Sequence, residues 1–343
     1  VGPMEPSTLK PLDFSDISGW AEDDHLAAFR AYSKTAERAL SKPYKTRDLG
    51  VDGSALAKIS EKALSVSVST PEDARRFFEE FFQPFGFGDD TQGHLTGYYE
   101  PVVEASPVRT NTHRTPLLAR PHDLIDLDDE NRPSHLEDHI RFGLLRDDGS
   151  VDAYWCRSQI EGDAYHHGIL ADRNLELCWI ADPMDAYFIH IQGSARLSMT
   201  DGTTKRVTYA AKSGHDYTSI GKVLLNEGHL KPDEVTMVSL RRWFKENEDR
   251  RTEITWRNDS YIFFEEVAIE NPEDGPIAAA KTSLVAGRSL AVDRLLHTYG
   301  TPIWIDVESP VQGFDKSIQR LMVAQDTGSA IVGPARGDLF VGS

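Results

Sequence analysis

The sequence predicts a mainly β chain with α, an α+β protein of more than one domain. Three observations carry this. At 343 residues the chain exceeds the usual size of a single core. Its N-terminal third has helical spacing and a well-formed helix start. From Ser260 onward the apolar residues fall in short runs punctuated by glycine, the texture of a small barrel.

The elements follow in order. Over Asp24 to Leu40, Leu26, Phe29, Ala36 and Leu40 recur at helical spacing. Thr70-Pro71-Glu72-Asp73 starts a helix, with a hydroxyl N-cap, proline in the first position and acids in the first turn. Ala74, Phe77, Phe78, Phe81 and Phe82 then make a stripe suited to a core, and Pro84 stops the helix. Gly93 to Pro101 reads as a strand running into a turn. Residues 105–150, rich in Pro, Asp, His and Arg, read as long loops around short strands. Asp185 to Gln192 alternates and is read as a strand ended by Gly193-Ser194. Residues 217–257 read as helices, with Gly228 as a C-cap, Pro232 opening the next helix region, and Trp243 and Phe244 packing it. Short strands follow at Tyr261–Phe264, Leu290–Val292, Thr301–Val307 and Leu321–Ala324.

Composition narrows the function. A hydrophobic share of 39% and a charged share of 27% are ordinary for a globular protein. The net charge of −18 argues against nucleic acid as a partner, which needs a basic footprint. No apolar run approaches the roughly 20 residues of a membrane helix. The chain begins Val1-Gly2-Pro3-Met4-Glu5 without a signal peptide or acylated cysteine, so export or lipid anchoring would run through a segment removed before Val1. Cys156 and Cys178 are read as two buried thiols rather than a disulfide scaffold.

The candidate chemistry lies in carboxylates. His135 and His139 share an i, i+4 spacing, but Glu137 and Asp138 stand where neither zinc-protease pattern puts its glutamate, so they read as a polar loop. His166-His167 has no partner spacing. Gln192-Gly193-Ser194-Ala195-Arg196 lacks the second glycine of a serine-hydrolase elbow and reads either as a tight turn or as a polar loop facing a ligand. Asp326-Thr327-Gly328 resembles half of an aspartic-protease dyad, but that dyad needs two such turns and the chain has one, preceded by Gln325. What remains is Asp326 and Asp338, each among glycines beside an apolar run, at expected strand-end turns. Such carboxylates suit glycan cleavage, where an apolar site raises the pKa of a general acid.

Five stretches occur in one order: Gly97-Tyr-Tyr-Glu-Pro101, Asp185 to Ser194, Tyr217-Thr-Ser-Ile-Gly221, Gly287 to Asp293, and Ala324 to Ile331. Together they resemble the MltA family of membrane-bound lytic transglycosylases. Asp293, Asp326 and Asp338 match the aspartates for which that family's C-terminal three-aspartate domain is named. The resemblance implies a double-psi β-barrel domain with N-terminal helices over 1–103 and 256–343. It also implies an inserted smaller β-domain with a helical return over 104–255, and a glycan groove between the two. It implies cleavage of the β-1,4 bond between N-acetylmuramic acid and N-acetylglucosamine, with 1,6-anhydromuramyl ends and no cofactor or metal.

By the same resemblance Asp338 is the catalytic acid and base, Asp326 supports it, and Asp293 is structural. Tyr98, Tyr99, Glu100, Gln192, Ser194 and Thr327 are the expected substrate contacts. The expected partner is peptidoglycan, met by a monomer in the bacterial periplasm with outer-membrane association. Ala195 replaces the glycine usual after Gln-Gly-Ser. Family members continue past the position of Phe340 with a glycine-rich stretch and a closing strand, on which barrel closure is expected to depend. The alternative reading is a non-catalytic polysaccharide-binding protein on the same fold.

Overall fold

A computed structural model of the chain describes residues 9–88, 93–162, 168–232, 235–269, 271–307 and 317–343. The chain divides into two compact units, Val1–Glu100 with Asn271–Ser343, and Pro101–Glu270.

The first unit opens with β1 (Lys10–Pro11) and three helices, α1 (His25–Ser41), α2 (Gly53–Ser65) and α3 (Pro71–Phe81). Each helix starts where a side chain satisfies an orphan backbone N–H: Asp24, Asp52 and Thr70 accept from Ala27, Ser54 and Asp73. At Thr70 the bond is reciprocated by Asp73, a capping box. The helix α2 has no counterpart in the sequence reading. The short β2 (Phe85–Gly86) pairs back onto β1, and β3 (His94–Tyr98) leads toward the second unit.

The second unit carries β4 (Val102–Ser106), β5 (Thr115–Leu118), β6 (Leu124–Asp126), β7 (Phe142–Leu145), β8 (Val151–Asp152), α4 (Arg157–Glu161), β9 (Glu176–Ile180) and α5 (Pro183–Gln192). It continues with β10 (Ser194–Met199), β11 (Thr204–Lys212), α6 (Ile220–Asn226), α7 (Met237–Glu246), α8 (Arg251–Thr255) and β12 (Ile262–Val267). Six strands order as β12-β11-β10-β4-β9-β5, and an isolated parallel bridge from Ala119 to Phe264 joins the two edges. Strands β6, β7 and β8 form a separate small sheet.

Three expectations need correction here. Asp185 to Gln192 is helix α5, not a strand: Asp182 caps it, Pro183 opens it, and Gly193 ends it at φ 76°. Tyr187, Phe188, Ile189 and His190 are all buried, so the segment is covered on every side and alternation could not distinguish the two periods. Next, α7 starts behind Thr236 rather than at Pro232. Finally, β12 pairs antiparallel with β11, so Ile262–Val267 belongs to the second unit, beyond the boundary read at residue 256.

The chain returns to the first unit as β13 (Ser289–Val292), β14 (Pro302–Val307), β15 (Ile318–Asp326) and β16 (Arg336–Phe340). With β3 they form a sheet ordered β14-β15-β13-β16-β3, parallel at β13–β15 and β16–β3 and antiparallel elsewhere. One face packs an apolar cluster of Leu290, Val292, Met322, Ala324 and Leu339, with Leu95 against it. Gly337 lies on this face, where a Cβ would meet Leu290 Cδ1 at 3.0 Å and Leu95 Cδ1 at 3.3 Å. Leu321 and Val323 point to the other face and pack on Phe29, Tyr32, Phe77 and Phe78 of α1 and α3. The largely buried Arg288–Asp23 fork, at 2.8 and 2.9 Å, ties the entry of α1 to β15, because Arg288 also donates to Leu321 O and Asp23 accepts from Leu321 N.

The alternation of β15 breaks once. Leu290 pairs with Ala324 and Ala291 with Asp326, leaving Gln325 as an extra residue, a β-bulge. Without it Asp326 would point into the apolar cluster beside Ala324. With it, Asp326 shares the face of Ala291 and Asp338. Gln325 itself is 0% exposed and fully bonded. Its amide donates to Ala31 O at 2.7 Å, its side-chain oxygen accepts from Ser289 Oγ at 2.5 Å, and its backbone oxygen accepts from Ala280 N at 3.0 Å. Gln325→Leu would leave Ala31 O and Ser289 Oγ buried without these partners. The expected loss is about 2–4 kcal/mol of unfolding free energy, read as a lower urea midpoint. A midpoint equal to that of the parent would show that the bulge needs no such anchor.

Candidate active site

The bulge places four residues in one row across the sheet. Asp326 on β15 and Asp338 on β16 are each paired with Ala291 on β13, and Asp338 is paired in turn with Thr96 on β3. The two aspartates thus stand on strands two apart, with backbones about 9–10 Å from each other. Thr96 and Tyr98 lie on the same face of β3 by alternation. Asp326 is the last residue of β15, as a strand-end carboxylate should be. Asp338 is not at a turn, as the sequence suggests, but in the middle of β16.

The environments of the two carboxylates differ. Both oxygens of Asp326 are engaged: Oδ2 accepts from the Tyr98 hydroxyl at 2.7 Å and Oδ1 from Ala279 N at 3.3 Å. Asp338 has one oxygen engaged, Oδ1 accepting from Thr96 Oγ1 at 2.5 Å, while Oδ2 has no partner among the described residues. The Thr96 hydroxyl accepts in turn from Arg336 at 2.8 Å, so a short relay runs from guanidinium to hydroxyl to carboxyl.

Burial pushes the pKa of both carboxyls up. For Asp338 the Thr96 hydrogen bond and the Arg336 and His94 charges oppose this without cancelling it. For Asp326 the hydrogen bond from Tyr98 opposes it, while the nearby Asp338 charge adds to it. Burial and the two aspartates hold Tyr98 well above the usual tyrosine range, so it stays a donor. The Tyr98 ring packs on Phe340 with centroids 5.4 Å apart, which fixes the hydroxyl over Asp326.

The other residues singled out from sequence take separate places. Thr327 follows Asp326 and donates to Val292 O at 2.7 Å. Asp293 is buried and accepts from Leu295 N at 2.9 Å and Gly333 N at 2.8 Å, binding the loop after β13 to the loop before β16. Tyr99 is half-buried just past β3, and Glu100 is buried, accepting from Ser343 Oγ at 2.6 Å. Gln192 and Ser194 belong to the second unit, at the end of α5 and the start of β10. The Gln192 side-chain oxygen is buried without a partner among the described residues.

Thr96 and Arg336 are absent from the residues read from sequence. Their role depends on strands that are distant in the chain, and the available signal was the two-residue alternation from Thr96 to Tyr98.

His135 and His139 are exposed and lie near Asp152 at 3.3 Å and Asp216 at 3.2 Å. Among the described residues, no group of three or more His, Cys, Asp or Glu is placed to hold a metal ion. His166-His167 lies outside the described residues. Both cysteines are free thiols, Cys178 buried as expected and Cys156 only half-buried, at the cap of α4.

Comparison with known proteins gives the context of this site. Residues 94–265 match the model of the MltA specific insert domain, and residues 288–343 match that of the 3D domain, a double-psi β-barrel type. Membrane-bound lytic murein transglycosylase A of Escherichia coli K12 is 28% identical over 254 residues, which cover 72% of this chain and 59% of that protein. The chain therefore spans under two thirds of that relative's length. A crystal structure of a membrane-bound lytic murein transglycosylase from Agrobacterium tumefaciens is 41% identical, with a TM-score of 0.89, covering 98% of this chain and 91% of the other. That of MltA from Neisseria gonorrhoeae is 28% identical, with a TM-score of 0.77, covering 99% and 91%. The row of Thr96, Asp338 and Asp326 spans the start of the insert-domain match and the 3D match, and the chain belongs to the MltA family of membrane-bound lytic murein transglycosylases.

Proposed function

We propose that this chain is a lytic transglycosylase, a carbon–oxygen lyase acting on peptidoglycan in cell-wall turnover. It cuts the β-1,4 bond between N-acetylmuramic acid and N-acetylglucosamine and leaves 1,6-anhydromuramyl ends. The observation that carries this reading is the inequality of the two carboxyls. Both pKa values are raised, but Asp338 has one oxygen without a partner among the described residues, whereas both oxygens of Asp326 are held.

The free Oδ2 of Asp338 is the proton donor. Protonated Asp338 gives its proton to the glycosidic oxygen as the bond from that oxygen to the muramyl C1 breaks. The resulting carboxylate takes the proton of the muramyl C6 hydroxyl as O6 bonds to C1, closing the anhydro ring and restoring the acid. The nucleophile is tethered to the substrate, so no second catalytic carboxyl is needed and water takes no part. Asp326, braced by Tyr98, supports the site by position, its own pKa raised by burial and by the Asp338 charge. Tyr99 and Thr327 are the candidate glycan contacts beside this row, and Gln192 and Ser194 are those of the second unit. Tyr98, Glu100 and Asp293 act by holding the strand ends and loops in place.

The names of the relatives support a place in the cell envelope, and we assign the chain to the bacterial periplasm as a monomer associated with the outer membrane. No helix of the described residues is long and apolar enough to cross a membrane.

Incubation with purified peptidoglycan, followed by mass spectrometry of the muropeptides, tests the reading. Anhydro ends are expected. Reducing muramyl ends would make the protein a hydrolase, and no product would make it a glycan-binding protein. Asp338→Asn should still pellet with peptidoglycan while its product falls by about 100-fold or more, the usual scale for loss of a general acid. Near-parent rates would reassign the acid.

The pH profile tests the relay. Asp338 must be protonated to act, so kcat/KM falls as pH rises through its raised pKa. The Thr96 hydroxyl favours the carboxylate, so removing it in Thr96→Val should move this alkaline limb to higher pH, with Thr96→Ser unchanged. A limb that stays in place or moves down in Thr96→Val contradicts the assignment.

A further inference from the structure

The second unit contains a cavity of about 260 Å³ that the proposed chemistry does not use. Its lining includes Arg157 on α4, one of the largest fully buried side chains. The guanidinium lies over the rings of Tyr187 and Tyr261, at 4.8 and 5.2 Å from their centroids. It donates to Ser260 O at 2.7 Å, to Asn258 O at 3.1 Å and to Glu161 Oε1 at 2.7 Å. The other oxygen of Glu161 accepts from Trp256 Nε1 at 2.7 Å. The one carboxylate of the lining is thus engaged at both oxygens.

Two further guanidinium groups line the cavity, Arg114 before β5 and Arg251 at the start of α8. Neither has a side-chain partner among the described residues. His190 on α5 is the next donor. Its Nδ1 accepts from Ile262 N at 3.3 Å, and burial with the Arg157 charge holds the ring neutral, so its proton sits on Nε2. That N–H also has no partner among the described residues. The lining therefore carries three arginines against one glutamate, inside a chain of net charge −18. An uncompensated positive site in so acidic a protein selects an anion.

The rest of the lining selects the kind of anion. Pro116, Ala181, Pro183 and Ala186 add apolar lining beside the donors. At about 30 Å³ per water-sized group, the cavity has room for roughly nine non-hydrogen atoms. We propose that this cavity binds a small carboxylate with a short apolar body, of the size and kind of an N-acylated amino acid. The carboxylate lies between Arg114 and Arg251, with His190 Nε2 as a third donor, and the apolar part faces the prolines and alanines. The site is independent of Asp338 and of the reaction assigned to it.

Isothermal titration of the whole chain with N-acetylalanine, its neutral carboxamide and inorganic phosphate tests this. N-acetylalanine should bind saturably, and the carboxamide at least about tenfold more weakly, because it lacks the charge-assisted bonds. Arg114→Met and Arg251→Met should each weaken binding by about tenfold while unfolding at the parent temperature. The proposal is overturned if the carboxamide binds as tightly as the acid, or if the double variant binds unchanged. It is equally overturned if phosphate binds more tightly than N-acetylalanine, which would make this an inorganic oxyanion site, or if no saturation is reached at concentrations on the order of 10 mM.

Discussion

The active face depends on one extra residue. Gln325 bulges from β15 opposite β13, and everything downstream in that strand changes sides. The strand before it alternates between two apolar environments, Leu321 and Val323 toward the helices, Met322 and Ala324 toward the cluster beneath β13 and β16. Continued alternation would bury Asp326 in that cluster as an unpaired charge, at a cost of several kcal/mol. The bulge instead brings Asp326 into the row of Asp338. Its own cost, an unpaired residue in a sheet, is met by bonds to Ala31, Ser289 and Ala280. The helix α1 therefore does more than cover the sheet, since its Ala31 carbonyl holds the residue that orients the site.

Two like charges on one half-buried face are an unstable arrangement unless one of them is accommodated. Here Asp326 takes the hydrogen bonds and Asp338 takes fewer. The bonds from Tyr98 and Ala279 offset part of the burial that raises the Asp326 pKa, and the Asp338 charge adds to that rise. The arrangement separates the roles of two chemically identical groups through their partners alone. Thr96 and Arg336 set a counterweight, holding Asp338 from rising so far that its carboxylate could not form in the second half of the reaction.

Much of the architecture was legible in the residues. The Thr70-Pro71-Glu72-Asp73 start, the phenylalanine stripe of α3, and the strands around Leu290, Ile303 and Val323 stand where local chemistry puts them. The aspartates were visible as carboxylates among glycines. The geometry that makes them unequal was not. Asp338 reads as a turn residue because Gly337 precedes it, yet that glycine exists so that Leu290 and Leu95 can close over β16. Thr96 acquires meaning only when β3 pairs with β16, a contact between the two ends of the unit that no local window contains. Gln325 appeared only as a mismatch to another family's motif. Helix α5 was misread because its residues are buried on all sides, and there the Asp182-Pro183 cap outweighs the apparent alternation.

The central claim is that burial raises the pKa of Asp338 above the ordinary aspartate value, so that its carboxyl can donate a proton from Oδ2. Carbon-13 NMR titration of the aspartate side-chain carboxyls, with Asp338 and Asp326 assigned by substitution, measures this directly. The account predicts that both carboxyls titrate above the ordinary value of about 3.9 and that neutralising Asp338 by substitution lowers the midpoint of Asp326. An Asp338 carboxyl that titrates at or below that ordinary value would contradict it.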